Sequence, residues 1–148
     1  MHNTLASSDY GLLNENSFAP RPNYWAALLW RRLMGDTVLD PHASPAPNVY
    51  VYAHCLQKNA GGAALLIVNA DQHRVHEISL PLEAERYTLA ATRLQDTAVQ
   101  LTGKTLRLSG DGEVPQLAGQ STRRGRLSFA PTSISFLALP NANNSSCH

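Results

Sequence analysis

The sequence lacks an excess of charge of either sign, and this absence argues against partners that are bound mainly through charge. Its 148 residues carry 12 Lys and Arg against 11 Asp and Glu, a formal net charge of +1. Nucleic-acid binding draws on the release of counterions by many cationic side chains, and this balance offers few. Arg123, Arg124 and Arg126 form a small basic cluster, which we interpret as a solvated loop. We therefore expect no nucleic-acid partner.

Long apolar runs are missing as well. No stretch approaches the roughly 20 apolar residues of a membrane span, and residues 1–10 lack the basic and apolar regions of a signal peptide. We expect no membrane span, and a chain that by itself stays where it is made. Its length fits one domain.

Cysteine is scarce, since Cys55 and Cys147 are the two present. Overlapping glycosylation sequons begin at Asn143 and Asn144, beside the second cysteine. Both features suit an oxidising, secretory compartment. Because this chemistry conflicts with the missing signal peptide, the sequence predicts the tail of a longer protein.

One stretch indicates a helix, at about residues 22–34. Pro22 suits a first helical turn, and Gly35 is predicted to be the left-handed residue that ends the helix. Apolar residues recur with helical spacing, and Trp25 and Leu28 widen the apolar face. A face this wide predicts a neighbour on more than one side of the helix.

The rest of the chain is typical of an all-β domain. Short runs with a two-residue period alternate with Gly- and Pro-rich breaks. Thr102-Gly103 between alternating residues indicates a hairpin, and residues 109–125 have the composition of a loop. Seven or eight strands at this spacing favour a β-sandwich. The predicted strands are 4–6, 37–39, 48–54, 63–69, 75–80, 86–91, the hairpin 99–108, and 133–139.

Two short motifs suggest chemistry but are better explained without it. His73-Arg-Val-His76 precedes an alternating strand, where residues three apart point to opposite faces, so we expect surface histidines and no metal site. Asn14-Glu15 resembles the Asn-Glu pair of many retaining glycosidases, which need a second carboxylate about 5–5.5 Å away. Glu15 lies in a polar stretch before the helix, which favours a capping or surface role.

Several runs of the sequence, taken in order, form a recognisable series. The first are Tyr10-Gly-Leu-Leu13 and Pro22-Asn-Tyr-Trp-Ala-Ala-Leu-Leu-Trp-Arg-Arg-Leu-Met-Gly35. The series continues through Val51-Tyr-Ala-His-Cys55, Leu65-Leu-Ile-Val-Asn69, Val99-Gln-Leu-Thr-Gly103 and Pro131-Thr-Ser-Ile-Ser-Phe136, and reaches Cys147. It resembles the C-terminal part of heparanases and plant heparanase-like proteins, members of glycoside hydrolase family 79.

The resemblance implies a (β/α)8 barrel followed by a β-sandwich, in a retaining β-glucuronidase that acts on glycans or glucuronides without a cofactor. A barrel needs at least about 200 residues. The expectation is therefore a mainly β chain, with the last barrel strand and helix in residues 1–36 and a sandwich of about eight antiparallel strands in 37–148. The catalytic carboxylates of the family lie on earlier barrel strands, so the chain alone is expected to be inactive. The full-length protein would be extracellular, secretory, lysosomal or vacuolar.

The resemblance also assigns roles to individual residues. Tyr10, with Asp9 beside it, is expected to contact the carboxylate of a bound glucuronic acid. Ser7 and Ser8 stand where relatives usually have glycines, and their side chains are expected to alter the approach of the sugar to the backbone. Cys55 and Cys147 are expected to form a disulfide.

A different class of function stays open, a free-standing β-sandwich module that binds glycan or protein. Tyr50, Tyr52 and Trp25 would be its sugar-stacking platform. The simpler interpretation places the two tyrosines on one face of a packed sandwich.

Overall fold

The structure, a computed structural model, describes residues 5–6, 11–42 and 46–148. This part of the chain forms one helix and ten strands, and the strand pairs within it are antiparallel. The mainly β prediction is confirmed. The elements are α1 (Pro22–Leu33), β1 (Met34–Leu39), β2 (Val49–Leu56), β3 (Ala63–Asn69), β4 (His76–Leu80), β5 (Ala84–Ala90), β6 (Gln100–Leu101), β7 (Lys104–Thr105), β8 (Gln120–Thr122), β9 (Gly125–Phe129) and β10 (Ser133–Leu139).

Helix α1 begins at Pro22 as predicted, and one stripe of it packs on the main sheet. The buried side chains are Trp25, Leu29 and Leu33, at spacings of four residues. Each such burial contributes about 1.5–3 kcal/mol. Trp30 points away from this stripe and remains 39% exposed, with its ring edge against His54 at 5.1 Å between centroids. The sheet therefore covers part of the wide apolar face.

Gly35 does not end the helix in a left-handed conformation, so that prediction was wrong. The chain passes straight from Leu33 into β1, and Met34 caps the helix with an extended backbone, φ −88° and ψ 113°. A Cβ on Gly35 would lie 2.7 Å from the carbonyl oxygen of Cys55. Glycine is required here because β1 approaches β2 closely, not because the helix needs a positive φ.

The main sheet has the order β1-β2-β3-β10-β5-β6-β7, with β8 also paired to β5. Strand β10, near the end of the chain, lies at its centre. Phe136 stands opposite Leu66 of β3 and Tyr87 of β5. Five consecutive residues of β10, from Ser135 to Leu139, are buried, which explains why the strand reads as a continuous apolar run.

Apolar clusters lie on both faces of this sheet. On one face α1 packs over residues of β3, β5 and β10, among them Leu66, Leu89 and Phe136. On the other face the two-stranded sheet of β4 and β9 packs over Val49, Ile67 and Leu137. The sheet is therefore a middle layer between a helix and a smaller sheet.

The buried side chain of Asn69 holds the two sheets together at one end. Its Nδ2 lies 3.0 Å from the carbonyl oxygens of Phe129 and Ala130 and 2.9 Å from that of Arg74. Its Oδ1 accepts a hydrogen bond from the N–H of Asp71 at 3.0 Å. A buried amide with these partners replaces water with protein hydrogen bonds, so its burial costs little.

Most predicted strands exist; 63–69 and 133–139 have the predicted bounds, and the others have shifted ends. The hairpin at Thr102-Gly103 is confirmed, with φ of 50° and 84° at its two turn residues and strands of only two residues each. Strands β8 and β9 were missed, because Gly, Ser, Gln and Arg within 109–126 resemble a loop.

The basic cluster interpreted as a solvated loop is divided between a loop and a strand. Arg123 and Arg124 are exposed between β8 and β9. Arg126 lies in β9, with its guanidinium 3.5 Å from the carboxylate of Glu77.

The short strand expected at residues 4–6 is wrong for Leu5 and Ala6, which lie in a bend. Thr4 lies outside the described residues.

A close contact fixes the loop before β8 against the sheet. Gly119 lies over the side chains of Glu85 and Tyr87, both on the face that carries α1. Burial, together with the neighbouring Glu85, raises the pKa of Tyr87 to about 12. The phenol therefore stays protonated throughout the physiological range.

Replacing Gly119 with alanine is expected to destabilise the fold by about 1–3 kcal/mol, because the added methyl overpacks a filled site. Its Cβ would lie 2.5 Å from Cγ of Glu85 and 2.8 Å from Cζ of Tyr87. Urea unfolding measures the change. Gly110→Ala is the matched control, since no atom lies within 4 Å of its Cβ. That control should be neutral or stabilising by up to about 1 kcal/mol. Equal midpoints for the two variants would contradict the packing described here.

Candidate functional site

The segment before α1 folds back on itself. Leu13 bridges Pro20, and backbone hydrogen bonds of 2.9 Å run from Asn14 N to Ala19 O and from Arg21 N to Leu12 O. At its tip the Oδ1 of Asn14 accepts hydrogen bonds from the N–H groups of Asn16 and Ser17. Such an Asx turn is a local structural use of asparagine. Glu15 is exposed in this turn, in agreement with the surface role favoured above.

The residues predicted to contact a sugar carboxylate cannot be placed. Asp9 and Tyr10, and with them Ser7 and Ser8, lie outside the described residues. Their roles stay predictions. Gly11 and Leu12, which follow them, are buried or half-buried beside the start of α1.

A groove lies between the segment 14–22 and residues 94–107, and we call it the helix-start groove. It has a volume of about 720 Å³, and polar residues such as Asn14, Gln95, Thr97 and Arg107 line it. An adjoining apolar cavity of about 340 Å³ shares Pro22, Leu94 and Asp96 with the groove and extends to Val99 and Ile134. Volumes of this order are typical of sites for small molecules.

Residues 93–96, on one side of the groove, form a loop that is closed by hydrogen bonds between Arg93 and Asp96. The carboxylate of Asp96 accepts hydrogen bonds from the backbone N–H and the Nε of Arg93, at 2.9 and 3.1 Å, and its Oδ1 lies 3.0 Å from Nη2. The N–H of Asp96 donates back to the carbonyl of Arg93. This closed ring leaves Leu94 68% exposed at the junction of the two cavities.

The predicted disulfide is present. Cys55 on β2 and Cys147 are bonded, with their Cα atoms 5.3 Å apart. Two backbone hydrogen bonds hold the same tail, from Gly61 N to Cys147 O at 2.7 Å and from Asn144 N to Gly61 O at 2.9 Å. The C-terminal residues are therefore fixed against the turn between β2 and β3.

The two sequon asparagines differ in accessibility. Asn143 is exposed, with a φ of 51°, whereas Asn144 is half-buried and its Oδ1 accepts a hydrogen bond from Ser146 N at 2.9 Å. If one of them carries a glycan, the exposed Asn143 is the more accessible acceptor.

The histidine motif has a structural role in this part of the chain. His73 is exposed, and the Nε2 of His76 lies 3.4 Å from the Oδ2 of Asp71. A hydrogen bond from the N–H of His73 holds the pKa of Asp71 below its usual value. Among the described residues no three His, Cys, Asp or Glu side chains gather in a way that could hold a metal ion.

The aromatic residues of the alternative binding platform do not form one surface. Trp25, a residue of α1, is buried between the helix and the main sheet and is only 2% exposed. Tyr50 and Tyr52 are 50% and 49% exposed. They lie on the same face of β2, and their partners on β3 are Val68 and Leu66. The two tyrosines lie on one face of β2 as interpreted, but that face is not fully packed, since about half of each residue remains exposed.

Within the described residues, no helix has the length and apolar character of a membrane span.

Comparison with solved structures shows that this fold occurs in larger proteins. A glycoside hydrolase family 30 subfamily 8 xylanase from Clostridium acetobutylicum matches 92% of the chain with a TM-score of 0.56 and 13% identity. A family 30 endoxylanase from Clostridium papyrosolvens matches 88% with a TM-score of 0.52 and 14% identity. The chain covers about a third of each, 32% and 31%. At these identities the likeness shows the fold alone.

The sequence relatives include a glucuronidase, a heparanase-like protein and an inactive heparanase. The chain is 37% identical to baicalin-β-D-glucuronidase of Scutellaria baicalensis and 30% identical to heparanase-like protein 1 of Arabidopsis thaliana, over 93% and 97% of its length. It is also 29% identical to human inactive heparanase-2, over 93% of its length. The resemblance to heparanases and heparanase-like proteins is thereby confirmed, although no protein-family profile matches the chain. The chain spans about a quarter to a third of these relatives, 27% to 34%.

Sequence reasoning missed the helix-start groove. Residues 91–98 show no periodicity, and the sequence gives no sign that they meet a segment about 80 positions earlier. The spacing Arg93-x-x-Asp96 was the available signal, since side chains three residues apart can close a turn.

Removing the disulfide is expected to destabilise the protein by about 4–5 kcal/mol, because the bond closes a loop with a sequence separation of 92 residues. Denaturant unfolding of the Cys55→Ala/Cys147→Ala double variant measures the loss. Wild-type protein treated with reductant is the control and should show the same midpoint. If the unfolding free energies of the variant and the wild type differed by less than about 1 kcal/mol, the prediction would be wrong. The backbone hydrogen bonds of the tail would then stabilise it without the disulfide.

Proposed function

We propose that the chain is the C-terminal part of a heparanase-like retaining β-glucuronidase that hydrolyses glucuronide linkages in glycans or small glucuronides. The observation that carries the proposal is the 37% identity to baicalin-β-D-glucuronidase over 93% of the chain. Similarity to an inactive heparanase-2 over the same share supports the view that this region alone does not decide activity. Activity must depend on carboxylates elsewhere in the complete enzyme, since retention requires an acid and a nucleophile about 5–5.5 Å apart.

In this proposal residues 1–36 supply the last strand and helix of a (β/α)8 barrel of family 79, and residues 37–148 form its β-sandwich domain. Packing of Trp25, Leu29 and Leu33 on the sheet supports a fixed relation between the two parts. The exposed face of Trp30 would meet the remainder of the barrel. No cofactor takes part, because both steps of the reaction use carboxylates alone.

Tyr10, with Asp9, would lie at the end of the last barrel strand, where such enzymes place substrate contacts. A phenolic O–H can donate to the carboxylate of a glucuronic acid without adding a charge near the catalytic pair. Ser7 and Ser8 add side chains where relatives usually have glycines, and they would narrow the approach of the sugar to the backbone.

The complete enzyme would be extracellular, or pass through a secretory, lysosomal or vacuolar compartment. The Cys55–Cys147 bond supports this, because disulfides persist in oxidising environments. Asn143 is the sequon asparagine that we propose to be glycosylated, since it is the exposed one of the pair.

A second candidate is a non-catalytic module that binds glycan or protein. The half-exposed Tyr50 and Tyr52, on one face of β2, favour it. Binding of a glycan by the 148-residue chain that is lost in Tyr50→Ala/Tyr52→Ala would support this candidate over the first.

The first candidate is tested by a chimera in which this chain replaces the matching part of baicalin-β-D-glucuronidase. We expect the chimera to hydrolyse an aryl β-glucuronide. Tyr10→Phe should lower kcat/KM for that substrate about 10- to 100-fold, as a lost hydrogen bond to a charged group implies. The matching aryl glucoside should be hardly affected, because it lacks the carboxylate.

Tyr50→Phe, on a half-exposed side chain of the sheet, is the matched control and should leave both rates unchanged. Equal losses on glucuronide and glucoside would make Tyr10 a structural residue. The 148-residue chain alone should be inactive. Turnover by that chain that disappears in Glu15→Gln would overturn the proposal.

A further inference from the structure

The helix-start groove joins two segments that are distant in the sequence. One wall is the turn segment 14–22, which leads into α1, and the other consists of residues from Leu94 to Arg107. Backbone hydrogen bonds within residues 12–21 hold the first wall, and the Arg93–Asp96 ring holds the loop of the second. Both walls are therefore formed before any ligand arrives, which lowers the entropic cost of binding.

The polar and apolar parts of the groove suit a sugar chain. Leu94 is exposed between the polar groove and the apolar cavity, where it can pack on the C–H face of a pyranose ring. Gln95 and Thr97 line the polar part and offer donors and acceptors for hydroxyl groups. A site with an apolar contact and a few polar groups is the usual design of a small-molecule pocket.

The charge of the groove favours an anion. Arg107 is exposed in the lining, and no carboxylate of a described residue forms an ion pair with it. The one acidic side chain of the lining, Asp96, is already neutralised by Arg93. A guanidinium that is free to make two parallel hydrogen bonds is well suited to a carboxylate or sulfate group.

We propose that the helix-start groove binds a further sugar unit of an anionic glycan, next to the glucuronide that the complete enzyme would cleave. This inference rests on the proposed function for its place in the enzyme. In the proposed barrel, residues 14–22 follow the last strand, and loops in that position border the active site. The β domain, through residues 94–107, would then form one side of the substrate cleft and favour long substrates over short ones.

Binding is tested on the 148-residue chain, so the result does not depend on turnover. The probe is a hexasaccharide of alternating glucuronic acid and N-acetylglucosamine, followed by amide chemical shifts. We expect perturbations at residues 94–98 and 105–107, and affinity about three- to tenfold weaker in Arg107→Ala. Arg124→Ala removes an exposed arginine between β8 and β9 and should bind like the wild type.

Uncharged chitohexaose is the second control and should bind more weakly. No perturbation at these residues would overturn the proposal, as would equal binding of chitohexaose or unchanged affinity in Arg107→Ala.

In the active chimera, Arg107→Ala should raise KM for a glucuronic acid polysaccharide about three- to tenfold and leave the aryl glucuronide unaffected. Equal effects on both substrates would overturn the assignment. An inactive wild-type chimera that still binds the hexasaccharide at the groove would count against the proposed function and in favour of the groove.

Discussion

Strand β10 is the element on which the rest of the structure depends. It lies between β3 and β5, and its residues Ser135 to Leu139 are buried. Phe136 and Ala138 belong to the cluster under α1, while Leu137 and Leu139 belong to the cluster under β4 and β9. Because the strand comes near the end of the chain, the sheet is complete only when residues more than 60 positions apart have paired.

This central position explains how the candidate site is held. Helix α1 packs on β10 and its neighbours, so the turn segment before the helix has a fixed place beside residues 94–107. The disulfide and the hydrogen bonds of Gly61 tie the last residues to β2 and to the turn between β2 and β3 of the same sheet. The scaffold therefore fixes the positions of both walls of the helix-start groove.

The sequence predicted the elements whose pattern is local, either an apolar period or a turn motif. The apolar run of β10, the alternation in β2 and the hairpin at Thr102-Gly103 each show in a few neighbouring residues. Strand β9 was missed because only Leu127 and Phe129 of its five residues face the core, and Gly125 and Arg126 read as loop. Gly35 was misassigned because glycine suits both the end of a helix and a close contact between strands. Only the structure, in which Gly35 lies against the carbonyl oxygen of Cys55, distinguishes the two roles.

The site was less predictable than the fold. The disulfide followed from a resemblance, since two cysteines far apart give no geometry by themselves. The groove depends on two loops that meet only after β5, β6 and β10 have formed, and no local pattern encodes such a meeting. Trp25 and Trp30 look alike in the sequence, yet the first is buried and the second is partly exposed, because the sheet covers one stripe of the helix.

Because α1 packs on the sheet built on β10, we expect the helix and the sheet to unfold as one cooperative unit. Native-state hydrogen exchange tests this expectation most directly, through the amides of Leu29 and Leu33 in α1 and of Phe136 and Leu137 in β10. Both sets of amides should open with free energies within about 1 kcal/mol of each other, as residues of one folding unit do. Rapid exchange throughout α1 while β10 stays protected would contradict it.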